Sequence, residues 1–249
     1  MTYDPRILGA DCEDCILAHQ GRPLRPVPTE DKDSARLAVI GEAPGATEVE
    51  QGRPFSGASG FALRDQLARL RLSRADVAIG NAISCRPPDN DLAKLEAQLH
   101  ARNRNRRAQG LPSHKHPAEC CRPRLEREIA RFDKVLALGG TAARVLTGSR
   151  AGILDQRGGP VIMHRPPGAM GWTRVDPEDL EAGVVPGANA KGLHSGFDAR
   201  PRQTGESPSL RAILPTLHPA FVMREARWKT AIRTDFGRAH RLFTGRLDW

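Results

Sequence analysis

Residues 35–60, ARLAVIGEAPGATEVEQGRPFSGASG, decide the fold, because an apolar run there ends at a glycine-rich loop that carries glutamates. The run at 35–41 predicts a buried strand, since a short apolar stretch bounded by turn residues is typical of a strand covered on both faces. A glycine-rich loop after a strand often cradles a phosphate, but this loop contains no lysine, and its carboxylates would repel a phosphate. We therefore expect it to hold a different kind of ligand.

The rest of the chain alternates helical and strand patterns. Apolar residues at helical spacing on 58–72 predict an amphipathic helix directly after the loop. Further helices are predicted at 91–109, 117–132, 141–148 and from about 221 to 242, and further strands at 76–84, 133–140 and 156–164. Residues 211–220 are predicted to be a strand that runs into a loop. Strands that alternate with helices predict an α/β fold, a three-layer α/β/α sandwich with a mostly parallel central sheet.

Three loops form the candidate site of this fold. In parallel sheets, ligands bind beyond the carboxyl ends of the strands, where loops 41–57, 80–88 and 216–224 are expected to meet. Residues 165–210 are rich in glycine, proline, serine and charge, and they read as an insertion, not as a domain. The chain, 1–249, is therefore expected to form one domain.

Charge favours a polyanionic partner. The chain has 38 Lys and Arg against 29 Asp and Glu, a formal net charge of +9, which indicates nucleic acid as the partner. It has no run of about 18 apolar residues, so no contact with a membrane is expected. The N-terminus lacks the basic-then-apolar layout of a signal peptide. These patterns predict a location in the cytoplasm, in association with the nucleoid.

Five cysteines indicate a metal site more than a disulfide framework, because nothing marks the chain for secretion. Cys12 and Cys15 form a C-x-x-C pair, Cys85 follows a predicted strand, and Cys120 and Cys121 open a predicted helix. Four thiolates from such separate segments could hold an iron–sulfur cluster or a structural zinc ion. The alternative is that these cysteines are small buried hydrophobic residues.

Seven segments together resemble the uracil-DNA glycosylase superfamily, and specifically its iron–sulfur-containing family 4 type. They are CEDCILA, GEAPGATEVEQGRPFSGASG, GNAISCRPP, CRPRLEREIARF, VLALGGTAARVLTG, QRGGPV and PTLHPAFVMR, in the family's order. The resemblance implies a monomeric enzyme that hydrolyses the N-glycosidic bond of flipped-out uracil in DNA and leaves an abasic site for base excision repair. It also implies a 4Fe–4S cluster on Cys12, Cys15, Cys85 and Cys121, with Cys120 as a spare cysteine.

The resemblance assigns a base pocket, and elementary chemistry agrees with it. A base must be flipped from the duplex and read in a pocket before it is cut. Phe55 is expected to stack on the pyrimidine, and the Asn81 amide to pair with its O4 and N3 edge. The backbone amides around Ala43 and Gly45 are expected to face the base.

The resemblance also assigns the bond cleavage and the DNA contacts. His218 is expected to donate to uracil O2 as negative charge develops on the leaving base. Glu42 and Glu48 are the carboxylates that could stabilise the cationic sugar or position water. The DNA contacts are expected from a segment just beyond the histidine, with Phe221 or Met223 as an apolar wedge and Arg224 on a phosphate.

The chain departs from the family's pattern at several points. Val49 stands where the family usually has aspartate, and Ala43 stands where the best-known branch of the superfamily has one. Residues 86–118 form a second, basic insertion, and it contains His114 and His116. Three alternatives therefore stay open. They are a catalytically inactive DNA-binding protein, a protein that bonds covalently to DNA through one of these histidines, and a zinc-bound structural module.

Overall fold

The computed structural model describes residues 3–165, 172–176 and 210–243. They form a six-stranded sheet in the order β2-β1-β3-β6-β4-β5. Its strands are β1 (Leu37–Gly41), β2 (Val77–Asn81), β3 (Lys134–Leu138), β4 (Val161–His164), β5 (Thr173–Arg174) and β6 (Leu210–Thr216). The described helices are α1 (Ala46–Gln51), α2 (Ala58–Arg69), α3 (Leu92–Ala108), α4 (Pro117–Glu128), α5 (Gly140–Thr147), α6 (Ile153–Gln156), α7 (Pro219–Arg224) and α8 (Lys229–Phe243).

The sheet is mostly parallel, as predicted. The strands β2, β1, β3 and β6 run parallel to one another. The predicted strand at 156–164 becomes β4, which pairs antiparallel with β6 on one side and with β5 on the other. The carboxyl ends of the four parallel strands therefore lie at one edge, where Gly41 is in register with Asn81 and Leu138 with Thr216.

Two apolar clusters cover the two faces of the sheet and confirm the three layers. Alternate residues of a strand belong to different clusters, so that Ala38 and Ile40 face one side and Leu37 and Val39 the other. The first cluster includes side chains of α3, α4 and α5, and the second includes those of α2, α7 and α8. Each face of the sheet is thereby removed from water, which accounts for the uninterrupted apolar runs of the strands.

The basic insertion is built around a long helix. Asp91 caps α3 by accepting a hydrogen bond from the Lys94 backbone N–H at 2.9 Å. At the other end, the buried Asn103 amide bonds both backbone groups of His114, at 2.8 and 2.9 Å, and fixes the return of the chain. The insertion predicted at 165–210 lies outside the described residues except for 165, 172–176 and Leu210, and the extent of the domain stays a prediction.

Each helix in the part of the chain that the structure describes is too short or too polar to span a bilayer.

Candidate active site

A cavity of about 310 Å³ opens at the carboxyl ends of the parallel strands, where the three predicted loops meet. Its lining contains eight of the ten residues predicted for base, catalytic and DNA contacts, namely Ala43, Gly45, Glu48, Phe55, Asn81, His218, Met223 and Arg224. The remaining two, Glu42 and Phe221, lie outside the lining. Except for Glu42 and Phe221, these predicted site residues thus lie around one cavity.

Phe55 and Asn81 both approach the end of β1 at Gly41, a position that has no side chain. A Cβ atom at Gly41 would come within 2.6 Å of both the Asn81 Oδ1 atom and the Phe55 Cζ atom. Both distances are far below van der Waals contact, so this position requires glycine. The absence of a side chain at the end of β1 therefore allows an amide and an aromatic ring to line the same cavity.

The backbone of Phe55 is held in a left-handed conformation, with φ of 50°. This region is uncommon for a bulky residue, and it persists where the surroundings enforce it. Arg74 donates hydrogen bonds to the carbonyl oxygens of Pro54 and Phe55, and it pairs with Glu30 at 2.7 Å. Hydrogen bonds from Arg53 and Arg74 lower the pKa of Glu30 to about 2, so this ion pair persists at neutral pH.

His218 follows β6 and caps α7. Its Nδ1 atom accepts a hydrogen bond from the Ala220 backbone N–H at 3.2 Å, which leaves the proton of the neutral ring on Nε2. Burial, with a smaller contribution from the charge of Arg224, lowers the pKa of His218 to about 4. The imidazole is therefore neutral at physiological pH and offers one N–H donor. Its ring centroid lies 5.7 Å from that of Phe55.

Glu48 is the carboxylate of the cavity. It lies in the first turn of α1, is 7% exposed, and packs against two glycines. A Cβ atom at Gly45 would lie 2.6 Å from Glu48 Oε2, and one at Gly57 would lie 3.3 Å from Oε1. Among the described residues, no side chain donates a hydrogen bond to this carboxylate. Its charge is thereby available to a ligand in the cavity.

Glu42 points elsewhere. Its carboxylate accepts a hydrogen bond from the Thr141 hydroxyl at 2.6 Å, at the start of α5. The predicted role of Glu42 beside the sugar stays a prediction, but the carboxylate that the structure brings to the cavity is Glu48.

The rim of the cavity separates the two predicted wedge residues. Met223 lines the cavity and is 53% exposed, whereas Phe221 is half-buried and packs on the apolar cluster of α2, α7 and α8. Asn90 also lines the cavity, although it was not among the residues predicted for the site. It follows Asp89, and both have left-handed backbones, with φ of 60° and 54°. The Pro-Pro-Asp-Asn turn is the signal that could have identified it.

The five cysteines gather on the side of the sheet that carries α4. Lys115 pairs with Asp14 and Ile16 through backbone hydrogen bonds of 2.8 and 3.2 Å, which docks the N-terminal segment on the start of α4. All five are free thiols, and all but Cys12 are buried. The Ser84 hydroxyl lies 3.9 Å from the Cys85 sulfur and 3.6 Å from the Cys121 sulfur.

The thiols influence one another electrostatically. Burial, followed by the charge of Cys121, raises the pKa of Cys12 to about 11 and that of Cys85 to about 12. Interaction with Cys120 lowers the pKa of Cys15. Within the described ranges, no group of three His, Cys, Asp or Glu side chains is close enough to hold a metal ion as it stands. A cavity of about 750 Å³ adjoins Cys12 and Cys85.

The two histidines of the basic insertion lie near the cysteines, away from the cavity lining. His114 stacks on His19 with ring centroids 4.1 Å apart. His116 caps α4 through its Nδ1 atom, and its Nε2 atom lies 3.4 Å from a Glu96 oxygen. Neither histidine lines the cavity that Phe55 and His218 border.

Comparison with known proteins gives one family. The model of the family described as the uracil DNA glycosylase superfamily matches residues 28–237. A type-4 uracil-DNA glycosylase of Pyrobaculum aerophilum is 36% identical over 138 residues, which cover 55% of this chain and 59% of that protein. One of Thermotoga maritima is 33% identical over 128 residues, with 51% and 57% covered. One of Archaeoglobus fulgidus is 45% identical over 64 residues, with 26% and 32% covered. The chain thus matches less than two thirds of the length of each of these relatives.

Proposed function

The chain belongs to the uracil-DNA glycosylase superfamily, and we propose on this premise that it hydrolyses the N-glycosidic bond of uracil in DNA. Its relatives named type-4 uracil-DNA glycosylase support this activity, although the alignments cover only part of them. The product would be an abasic site, the starting point of base excision repair. Uracil-containing DNA is the proposed partner, and the proposed location is the cytoplasm, at the nucleoid.

The observation that carries the proposal is the meeting of Phe55, Asn81 and His218 in one cavity. An aromatic face, an amide and a neutral imidazole are the three groups that a flipped uracil needs for stacking, for edge recognition and for stabilisation of its leaving oxygen. Neutral His218 carries its proton on Nε2, so it can donate a hydrogen bond in its uncharged form. This donor strengthens as negative charge develops on uracil O2 during bond cleavage.

Glu48 is proposed to act on the sugar. Cleavage of the glycosidic bond leaves positive charge on the sugar, and a carboxylate nearby stabilises that charge or orients the attacking water. The buried position of Glu48 strengthens its field, because little water screens it. Val49, which stands in place of the usual aspartate, follows Glu48 in α1. Of these two neighbouring positions, only Glu48 therefore carries a carboxylate.

Met223 and Arg224 are proposed to contact the DNA around the flipped nucleotide. Met223 is an exposed apolar side chain at the rim, suited to fill the gap in the base stack. Arg224 lines the same cavity and would bind an adjacent phosphate. The formal net charge of +9 favours the same partner.

A 4Fe–4S cluster is proposed on Cys12, Cys15, Cys85 and Cys121. The donor set fits, because these thiols come from three segments and are not in disulfides, and because burial, followed by the charge of Cys121, raises the pKa of Cys12 and Cys85. They would need to close in from their present positions. The cluster would cross-link the N-terminal segment, the end of β2 and α4, which is a structural role. Zinc is the alternative occupant.

Strand cleavage after base release tests the proposed activity. A labelled duplex with one uracil is incubated with protein, treated with alkali and resolved on a gel, beside the same duplex with thymine. Cleavage is expected at uracil and not at thymine, and His218→Ala is expected to reduce it by about 10²-fold or more. Salt-sensitive DNA binding without any cleavage would overturn the proposal in favour of an inactive DNA-binding protein.

A further inference from the structure

Arg124 connects α4 to the strand end that carries Asn81. The side chain is fully buried, at 0% exposure. Its Nη2 atom donates to the backbone oxygen of Asn81 at 2.8 Å and to that of Ala82 at 3.0 Å. A charged group thus bonds the peptide unit from which the base-reading side chain extends.

The two carbonyl groups face Arg124 because of their place in the sheet. The strand β2 lies at the edge, and one side of it pairs with β1, where the Ala82 N–H donates to the Gly41 oxygen at 2.9 Å. On the other side, Glu30 bonds Ile79 in both directions at 2.8 Å, and the Val27 N–H donates to the Ser84 oxygen at 2.8 Å, so the Asn81 and Ala82 oxygens lie between these two contacts. A buried carbonyl without a donor is costly, so the guanidinium supplies the donor between these two backbone contacts.

A second set of contacts fixes the guanidinium itself. Its Nη1 atom donates to the Glu128 carboxylate at 2.6 Å, one helical turn along α4. The same carboxylate accepts hydrogen bonds from the hydroxyls of Tyr3 and Thr29. Thr29 packs directly on β2, because a Cβ atom at Gly80 would lie 2.2 Å from its hydroxyl oxygen. The guanidinium therefore has little freedom to move relative to Asn81.

We infer that Arg124 is a positioning residue for base recognition, which it serves by holding the Asn81 peptide so that the amide faces the cavity. The inference rests on the proposed function, since it assumes that the amide reads uracil. Arg124 does not touch the base; it acts through Asn81. Loss of its hydrogen bonds frees the end of β2 and misaligns the amide.

Arg211 provides a matched control. It is 1% exposed, donates to the backbone oxygens of Phe132 and Ile129 at 3.0 and 3.1 Å, and pairs with Glu126 of α4 at 2.7 Å. It therefore resembles Arg124 in burial and bonding but holds no residue of the cavity. Arg124→Met and Arg211→Met should cost similar stability, and any difference in base recognition then comes from Asn81.

The experiment compares Arg124→Met, Arg124→Lys and Arg211→Met in the full chain. The inhibition constant of free uracil is measured together with kcat and KM on uracil-containing DNA, at a temperature where all variants are folded. We expect Arg124→Met to weaken uracil binding by about tenfold, the equivalent of one lost hydrogen bond, relative to Arg211→Met. Arg124→Lys should recover part of it, and it replaces the methionine variant if that variant does not fold. Equal uracil binding in the Arg124 and Arg211 variants would overturn the inference.

Hydrogen exchange separates this inference from the proposed function. The backbone N–H groups of Ala82 and Ile83 donate to the carbonyl oxygens of Gly41 and Glu42 at the end of β1. These N–H groups should exchange faster in the Arg124 variants than in Arg211→Met. This readout needs no activity. If wild-type protein releases no uracil, the proposed function fails, whereas unchanged exchange at Ala82 and Ile83 contradicts the positioning role itself.

Discussion

The rings of Phe55 and His218 lie 5.7 Å apart, centroid to centroid, and their planes are tilted by 31°. The two residues come from loops more than 160 positions apart in the chain, and parallel strands bring these loops together. An aromatic face and a neutral N–H donor thus border one cavity, which is the central element of the proposed mechanism.

The neutral state of His218 predicts the acid limb of the pH profile. Burial, then the charge of Arg224, lowers its pKa from 6.5 to about 4, so the active neutral form persists well below neutrality. Single-turnover rate constants on uracil-containing DNA should stay level from about pH 8 to 5 and then fall. A midpoint near the ordinary histidine value of 6.5 would contradict this account.

The same shift has a consequence for stability. Unfolded His218 binds a proton near pH 6.5 and folded His218 only near pH 4, so between these values the unfolded state holds more protons. The contribution of His218 to stability is therefore complete above 6.5 and is lost as the pH falls towards 4. Urea midpoints should decline less with falling pH in His218→Gln than in wild type.

Gly41→Ala is expected to impair base recognition, because its added methyl group would collide with the residues that line the base pocket. The new Cβ atom would lie 2.6 Å from Asn81 Oδ1 and from Phe55 Cζ, so both groups must move. Displacement by about 1 Å can cost about 10²-fold in rate. Gly159→Ala is the control, because a Cβ atom there meets nothing within 4 Å. Equal kcat/KM for the two variants would argue against the close approach of Phe55 and Asn81 to Gly41 as the basis of recognition.

Glu48 and Glu42 should differ in their effect on cleavage. Glu48→Gln removes the charge that faces the cavity, and we expect a loss of about 10²-fold in single-turnover rate with little change in DNA binding. Glu42→Gln preserves an acceptor for the Thr141 hydroxyl and should cost less than Glu48→Gln. The reverse order would restore Glu42 to the role that the sequence analysis assigned it.

Cys121 and Cys120 are adjacent, and serine substitution distinguishes them. Cys121→Ser should abolish visible iron–sulfur absorbance and bound iron, whereas Cys120→Ser should retain both. Interaction with Cys120 lowers the pKa of Cys15, so Cys120 is the cysteine that this comparison must separate from the proposed ligand Cys121. Retention of iron in Cys121→Ser, or a colourless wild type with one zinc per chain, would contradict the proposed cluster.

The sequence predicted the layers of the fold and most of the cavity because strand ends mark both. Asn81 ends β2, His218 follows β6, and Phe55 lies between β1 and α2; parallel pairing places these strand ends and their loops at one edge. The direction of the carboxylates was not predictable, because it depends on α1, a six-residue helix inside a loop that reads as irregular. Arg124 was missed because a buried arginine on an amphipathic helix has the same sequence pattern as an exposed one.

The most direct test of the central claim is the identity of the base that the protein releases. Protein is incubated with duplex DNA that contains uracil, cytosine and thymine, and free bases are quantified by mass spectrometry. The account predicts release of uracil alone, strongly reduced in Asn81→Ala and in His218→Ala. No free uracil from the folded wild-type protein, loaded with its metal, would contradict the claim, as would cytosine or thymine released at a similar rate.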